Sequence, residues 1–237
     1  MKKIKISFLA LSAICFAFVS CKEEETVTPA ETSKVLVVHA SPNAPGVDLY
    51  VDQVKLNSAA LTFPANTGYL TANAGSRRIQ VKVNPSTTSS ASAIDATLPL
   101  TKDLNYSVFA IDSVSKISPL VTIDDLTTPA SGKAHIRFIH LSPNAPAVDV
   151  SVAGQAAGAG LFLNRTFNKT ITPAQYAFIP VDAGTYNLEV RAAGTTTSVL
   201  DLTGVTLTAG KIYTVFAKGF FGGTGAQALG AEIIVNK

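Results

Sequence analysis

The sequence predicts an all-β protein made of two tandem immunoglobulin-like β-sandwich domains. A ten-residue motif occurs twice, as HASPNAPGVD at 39–48 and HLSPNAPAVD at 140–149, near the start of two similar blocks. In each block, short runs rich in β-branched residues are separated by turn residues, which is typical of strands. About seven such runs in a block of this size is the pattern of a β-sandwich.

The repeat also predicts the domain boundaries. In the chain of 237 residues we expect a leader at 1–20, a tether at 22–33, and sandwiches at 34–125 and 133–237. The stretch at 126–132 is rich in Thr, Pro, Ser and Gly, so we expect a short linker there.

Each copy of the motif joins two apolar runs but cannot itself continue a strand inside a sheet. Pro42 and Pro45 lack a backbone N–H, and each biases the residue before it toward extended geometry. Ser41 and Asn43 can bond nearby backbone groups, as such residues do in turns. We therefore expect a rigid crossing between strands, repeated in the second block at Ser142, Pro143, Asn144 and Pro146.

Further along the first block, 69–73 and 77–83 read as two paired strands turned by Ala74-Gly75-Ser76. In the second of these runs, alternate positions are polar, which predicts a half-buried strand with one solvent face formed by Arg78, Gln80 and Lys82. The Ser/Thr-rich stretch at 84–93 predicts a loop.

The amino terminus has the organisation of a signal peptide. Lys2, Lys3 and Lys5 precede an apolar stretch at 6–19, which is short for a membrane span. Residues 18–21, Phe-Val-Ser-Cys, resemble a bacterial lipobox, whose cysteine is diacylated and becomes the new amino terminus. This resemblance predicts lipidation at Cys21. Cys15 is the competing candidate, but it interrupts the apolar stretch.

The residues after Cys21 bear on the predicted location. Lys22-Glu-Glu-Glu25 resembles the acidic signal that exports some Gram-negative lipoproteins to the outer face of the outer membrane. We therefore expect a membrane partner through the lipid anchor, and exposure at the cell surface. The alternative is that these residues form only a solvated tether.

Charge and cysteine content exclude several classes of function. Without the three leader lysines, the 19 basic residues become 16, against 16 acidic ones, so no nucleic-acid partner is expected. Both cysteines precede the predicted domains, which therefore have neither a disulfide framework nor a thiolate metal site. No phosphate-binding or dinucleotide fingerprint is present, and no cofactor is expected.

The repeated motif contains the residue types of a hydrolase triad, in His39, Ser41 and Asp48 and again in His140, Ser142 and Asp149. However, Ser41 precedes a proline, and no glycine-rich nucleophile elbow surrounds it. We prefer a structural interpretation, in which the His ring lies under the turn and Ser and Asp bond turn amides. The protein is therefore expected not to be an enzyme.

Metal binding is not predicted. The one further histidine, His135, has no Cys or His at zinc-site spacing. Asp48, Asp52, Asp124 and Asp125 lack the alternating oxygen ligands of a calcium loop. They are interpreted as solvated carboxylates.

Phe220 and Phe221 lie in the glycine-rich segment 219–225. Adjacent strand residues point to opposite faces, so one ring can enter the core while the other stays exposed at a tip. An exposed ring there could stack on a sugar or dock on a protein. The alternative is that both rings complete the core.

The motif His-x-Ser-Pro-Asn-Ala-Pro-x-Val-Asp at the opening of a β-rich block resembles the bacterial envelope family called domain of unknown function 4397. Two copies in register span most of the chain after the leader. The resemblance implies a β-sandwich, often repeated, on lipid-anchored or secreted proteins. It brings no catalytic residues.

Taken together, these features predict a non-catalytic cell-surface lipoprotein that acts in adhesion or in binding a glycan or protein ligand. The alternative is a structural spacer or an accessory subunit of an envelope complex.

Overall fold

The computed structural model describes residues 30–237, and the predicted signal peptide and lipidated Cys21 lie outside this range. The first repeat forms eight strands: β1 Thr32–His39, β2 Val47–Val51, β3 Val54–Lys55, β4 Asn66–Asn73, β5 Gly75–Val83, β6 Ser92–Leu100, β7 Asn105–Ile111 and β8 Ser118–Asp124. The second forms β9 Lys133–His140, β10 Val148–Val152, β11 Phe162–Arg165, helix α1 Pro173–Tyr176, β12 Ile179–Asp182, β13 Gly184–Ala192, β14 Ser198–Leu207, β15 Ile212–Lys218 and β16 Gly230–Val235.

Each repeat folds into a sandwich of two four-stranded sheets, which confirms the predicted fold class. The first has the sheet orders β4-β1-β7-β8 and β3-β2-β5-β6, and the second has β12-β9-β15-β16 and β11-β10-β13-β14. β1 runs parallel to β7, and β9 runs parallel to β15. Alternate apolar side chains from the two sheets fill each core, including Val37, Leu49, Val81 and Val108 in the first and Phe138, Val150, Leu188 and Val215 in the second.

The motif crosses between the two sheets of a sandwich, since β1 and β2 lie in opposite sheets and do not pair. The predicted pairing of 69–73 with 77–83 is wrong for a similar reason. β4 lies in the sheet of β1, whereas β5 lies in the sheet of β2. The chain changes sheets at Gly75, which has a φ of 103° that glycine adopts readily. A turn signal shows that the chain bends, but not which strand it then meets.

The predicted solvent face of β5 is also wrong in part. Lys82 is only 1% exposed and Gln80 is 4% exposed, whereas Val83 is 46% exposed. The Ser/Thr-rich loop folds back over β5, where its carbonyls at Thr87 and Thr88 accept hydrogen bonds from Lys82 Nζ. Because these carbonyls replace water around the ammonium group, a lysine can be buried there.

The two sandwiches are joined by a third apolar core. The outer face of the β4-β1-β7-β8 sheet packs against that of the β12-β9-β15-β16 sheet, giving a molecule of four sheet layers. The buried apolar residues at this junction are Leu36, Val38, Ala40, Phe109, Ile111, Leu120, Ile139, Leu141, Phe216 and Ile234.

Equivalent residues of the two repeats face each other across the junction. The rings of Phe109 and Phe216 meet edge to face, with centroids 6.3 Å apart. Phe109 pairs with Val38 of β1 and Phe216 with Ile139 of β9, so the two rings occupy the same place in their sheets. Contact between equivalent positions is the mark of an isologous interface. The repeats are therefore packed with an approximate two-fold relation.

A buried polar network lies within this junction. Arg137 is 0% exposed and forms an ion pair with Asp124 at 2.7 Å. Its guanidinium also donates to the hydroxyls of Thr214 and Ser107. Tyr69 donates to the Asp124 carboxylate. The prediction that Asp124 is solvated is therefore wrong, because a guanidinium from the other repeat neutralises it.

Equivalent ends of the two sandwiches lie at the same end of the molecule. Lys218, at the end of β15, lies with its ammonium 5.6 Å from the ring of Phe63, which contacts His39 at the end of β1. At the opposite end, Lys237 Nζ donates to the carbonyl of Leu126, which follows β8. The two motifs therefore lie at the same end of the molecule.

The end that carries both motifs is here called the distal end, and it comprises the loops 40–46, 84–91, 112–117, 141–147, 193–197 and 219–229. The opposite end, the base, comprises the segments 30–33, 101–104, 125–132 and 208–211. The first described residues lie at the base, where the Thr32 carbonyl accepts a hydrogen bond from Asp103 N.

Candidate functional site

The two motif histidines are buried and hold the turn that follows them. His39 Nε2 lies 3.0 Å from the carbonyl oxygen of Pro45, and His140 Nε2 lies 3.1 Å from that of Pro146. Because a carbonyl can only accept, each Nε2 must carry the hydrogen. Burial lowers the pKa of both imidazoles below their usual 6.5, although these hydrogen bonds oppose the shift. The rings are therefore neutral donors beneath the turn.

The structure does not bring the three triad residue types together. Within residues 30–237, Ser41 Oγ and His39 Nδ1 are buried without a hydrogen-bond partner, and the same holds for Ser142 and His140. The expectation that these serines bond turn amides is therefore wrong, whereas the expected position of the histidines under the turn agrees with the structure. Asp48 binds other groups.

Asp48 is fully buried, so its interpretation as a solvated carboxylate is wrong. Its oxygens accept hydrogen bonds from Ser86 Oγ and Asn84 Nδ2, and it forms an ion pair with Lys55 at 2.8 Å. Burial alone would raise its pKa, but these partners outweigh burial and lower the pKa to about 2. In the second repeat, Asp149 accepts from the backbone N–H groups of Asn164 and Gly194. The motif aspartates therefore fix the loops beside them.

The motif asparagines hold a different pair of loops. Asn43 Oδ1 accepts from Val114 N at 2.8 Å. Asn144 Oδ1 accepts from Phe221 N at 2.8 Å, and its Nδ2 donates to the Phe221 carbonyl at 2.9 Å. Sequence reasoning missed this role, although the recurrence of Asn in both repeats signalled a shared contact. The motif thus anchors much of the distal end.

These asparagines present two apolar side chains to solvent. Phe221 is 50% exposed, and Val114 is 44% exposed. Phe220 is partly buried and forms an isolated bridge with Ala228 across the loop. The described structure therefore places one ring of the Phe220–Phe221 pair at an exposed tip.

The base carries a second candidate site, a cleft of about 810 Å³ between the two domains. The first domain contributes the segments 103–105 and 123–127, and the second contributes His135, Pro173 and the segment 176–178. Sequence reasoning missed this cleft because its walls come from distant parts of the chain that meet only when the domains pack together.

Within residues 30–237, no group of three or more His, Cys, Asp or Glu side chains is arranged to hold a metal ion. In the same range, no helix has the length and apolar character needed to cross a membrane. Asp52 is exposed and pairs with Arg77, and Asp125 is exposed at the base.

A family model described as "Domain of unknown function (DUF4397)" matches residues 33–151, half of the chain. The chain belongs to the DUF4397 family. The matched segment covers the first sandwich and extends through the second motif into β10. This agrees with the resemblance carried by the motif.

Curated proteins provide no match to the chain. Among solved structures, the chain is similar to one described as "The Bacillus anthracis TIE protein", with 10% identity and a TM-score of 0.23. The similarity covers 79% of this chain and 34% of the other, so the chain spans about a third of the length of that structure.

Proposed function

We propose that this DUF4397 protein is a non-catalytic lipoprotein of the Gram-negative outer membrane, anchored at Cys21 and exposed on the cell surface. Its distal end binds a glycan or a protein. The catalytic alternative is disfavoured because the hydrogen bonds of Asp48 and His39 are directed to the turn and loop groups around them, not to each other.

The observation that carries this proposal is that the distal loops and the first described residues lie at opposite ends of the molecule. The motif-anchored loops of both repeats lie at the end opposite Ala30. Cys21 precedes Ala30 by nine residues, so an anchor at Cys21 would hold the base near the membrane. The distal end would then point away from it.

The chemistry of the distal end is compatible with binding. The exposed ring of Phe221 provides an apolar face for stacking on a sugar or packing on a protein. Hydroxyl-bearing residues lie on other loops of the distal end, at 86–90 and 195–197. Since the motif side chains fix several of these loops, little conformational entropy would be lost on binding.

The orientation is tested by protease treatment of intact cells, with a periplasmic protein as a leakage control. The proposal expects the protein to be removed from intact cells, and expects a Cys21→Ala variant to lose its membrane attachment. Survival on intact cells, followed by digestion after lysis, would place the protein in the periplasm and remove the adhesive function.

The binding end is tested with the Phe221→Ser variant on glycan arrays and on extracellular-matrix proteins. We expect at least about a tenfold loss of affinity, since an exposed aromatic anchor contributes about 1–2 kcal/mol or more. The matched control is Val235→Ser, which removes an apolar side chain that is 58% exposed near the base. Equal losses in the two variants, or no binding by the unmodified chain, would contradict the proposal.

One observation favours the second candidate function, an accessory subunit of an envelope complex. β16 is an edge strand, and no described strand pairs with its outer side. Its residues Ile233 and Val235 are 39% and 58% exposed, and an open apolar edge can accept a strand from a partner. This function expects a fixed partner in crosslinked envelopes, lost in an Ile233→Lys variant. Recovery of the solubilised protein without a partner would count against it.

A further inference from the structure

We propose that the cleft at the base binds a small organic cation with an apolar body, such as an arylalkylammonium ion. The site is separate from the distal end, and it does not rest on the function proposed for that end.

The position and size of the cleft suit a small ligand. It lies between two domains, where ligand sites are common, and its volume of about 810 Å³ falls within the usual range for such sites. Its walls are held by the domain junction. Phe178 is fixed against the Arg137 guanidinium at 4.4 Å, and Arg137 is itself paired with Asp124. The site is therefore formed before a ligand arrives, which lowers the entropic cost of binding.

The charge of the lining favours a cation. Asp103 and Asp125 contribute carboxylates, and neither Lys nor Arg lies among the lining residues. Asp124 adds no net charge because Arg137 neutralises it. Within residues 30–237, Asp103 and Asp125 form no ion pair with Lys or Arg. Hydrogen bonds from Thr127 lower the pKa of Asp125, so this carboxylate stays ionised at neutral pH.

The remaining lining favours an apolar body on that cation. Ile123 is 48% exposed although it is an aliphatic strand residue, and it borders the cleft with Leu126. Tyr176 adds a partly buried aromatic ring on the opposite domain. An aromatic ring attracts a cation through its face, and a ligand that covers Ile123 gains free energy from burying apolar area.

The test uses the full chain in detergent micelles, with phenethylammonium as the probe and 2-phenylethanol as its neutral isostere. Titration followed by amide NMR measures affinity and location together. We expect saturable shifts confined to 103–105, 123–127, His135 and 176–178, and binding of the neutral isostere about tenfold weaker or more.

The matched variants are Asp103→Asn with Asp125→Asn, against Asp201→Asn as a control on an exposed carboxylate of β14. Asparagine keeps the shape of aspartate and tolerates the positive φ of 62° at position 103, so the fold should persist. We expect about a tenfold loss of affinity in the double variant and no change in the control. Equal binding of the two isosteres, shifts elsewhere, or full affinity in the double variant would overturn the proposal.

Discussion

The buried histidines of the two motifs make the folded state sensitive to acid. Each imidazole is neutral, and burial lowers its pKa below 6.5, the usual value that it regains on unfolding. Between these two values the unfolded chain binds more protons than the folded chain, so protons favour unfolding. The stabilisation is complete above pH 6.5 and is lost as the pH falls toward the folded pKa.

We therefore predict that the free energy of unfolding decreases between pH 7.5 and 5.5, by at most about 1.4 kcal/mol per histidine for each pH unit. Urea unfolding at several pH values measures this dependence. A His39→Asn, His140→Asn variant should show a flatter pH profile, because both groups whose pKa falls on folding are removed. A profile that is flat in the unmodified chain would contradict the prediction.

Asp48 affects stability in a separate pH range. Its pKa of about 2 is lower than in the unfolded chain, so the stabilisation that it contributes is lost only below about pH 4.

At the scale of an element, the β15–β16 loop depends on one glycine. Gly219 has a φ of 79°. A Cβ at this position would clash with the Ala228 carbonyl, because the two would be closer than their van der Waals radii allow. The approach is close because Phe220 N donates to the carbonyl of Gln227 across the loop. Gly219, two residues before Phe221, is therefore constrained both by its backbone conformation and by the space around its Cα.

We predict that Gly219→Ala displaces the loop and destabilises the protein by about 2 kcal/mol or more, since strain and a steric clash act together. Gly225→Ala is the matched control. Gly225 also has a positive φ, of 58°, but a Cβ there would meet no atom within 4 Å, so only about 1 kcal/mol of backbone strain is expected. Thermal unfolding measures both variants, and equal losses would show that the Ala228 contact is unimportant.

At the scale of the whole molecule, the junction makes one structure of two repeats. The two repeats carry different residues at equivalent positions of the junction. Arg137 stands where the first repeat has Leu36, and Asn236 stands where it has Asp124. The differences place one positive and one negative group inside the buried junction. They also specify that each repeat pairs with the other rather than with a copy of itself.

We predict that Arg137→Leu destabilises the protein by about 3–5 kcal/mol, because it leaves the Asp124 carboxylate buried without its counter-ion. Adding Asp124→Asn should restore more than half of that loss, since the double variant has Leu and Asn at both pairs of equivalent positions. Urea unfolding measures the series. Arg78→Leu, which breaks the exposed pair with Asp95, is the control and should change little. A double variant no more stable than Arg137→Leu would refute the account.

Several features were predictable from the residues alone. The recurring motif and the β-branched runs correctly predicted two β-sandwiches, because strand formation depends on local pattern and prolines prevent the motif from continuing a strand. The buried positions of His39 and His140 also followed from their place at the ends of apolar runs. The pairing of β4 and β5 did not, because a turn between two strands is compatible with either sheet.

The sequence by itself determined the repeat, the fold class, the family and the motif that holds the turns, since each depends on residues close together in the chain. Only the tertiary structure decided the burial of Lys82 and Asp124, the common direction of the two distal loop sets, and the cleft at the base. Each of these depends on groups far apart in sequence, such as Arg137 and Asp124, whose charges are buried only because they neutralise each other across the domain junction.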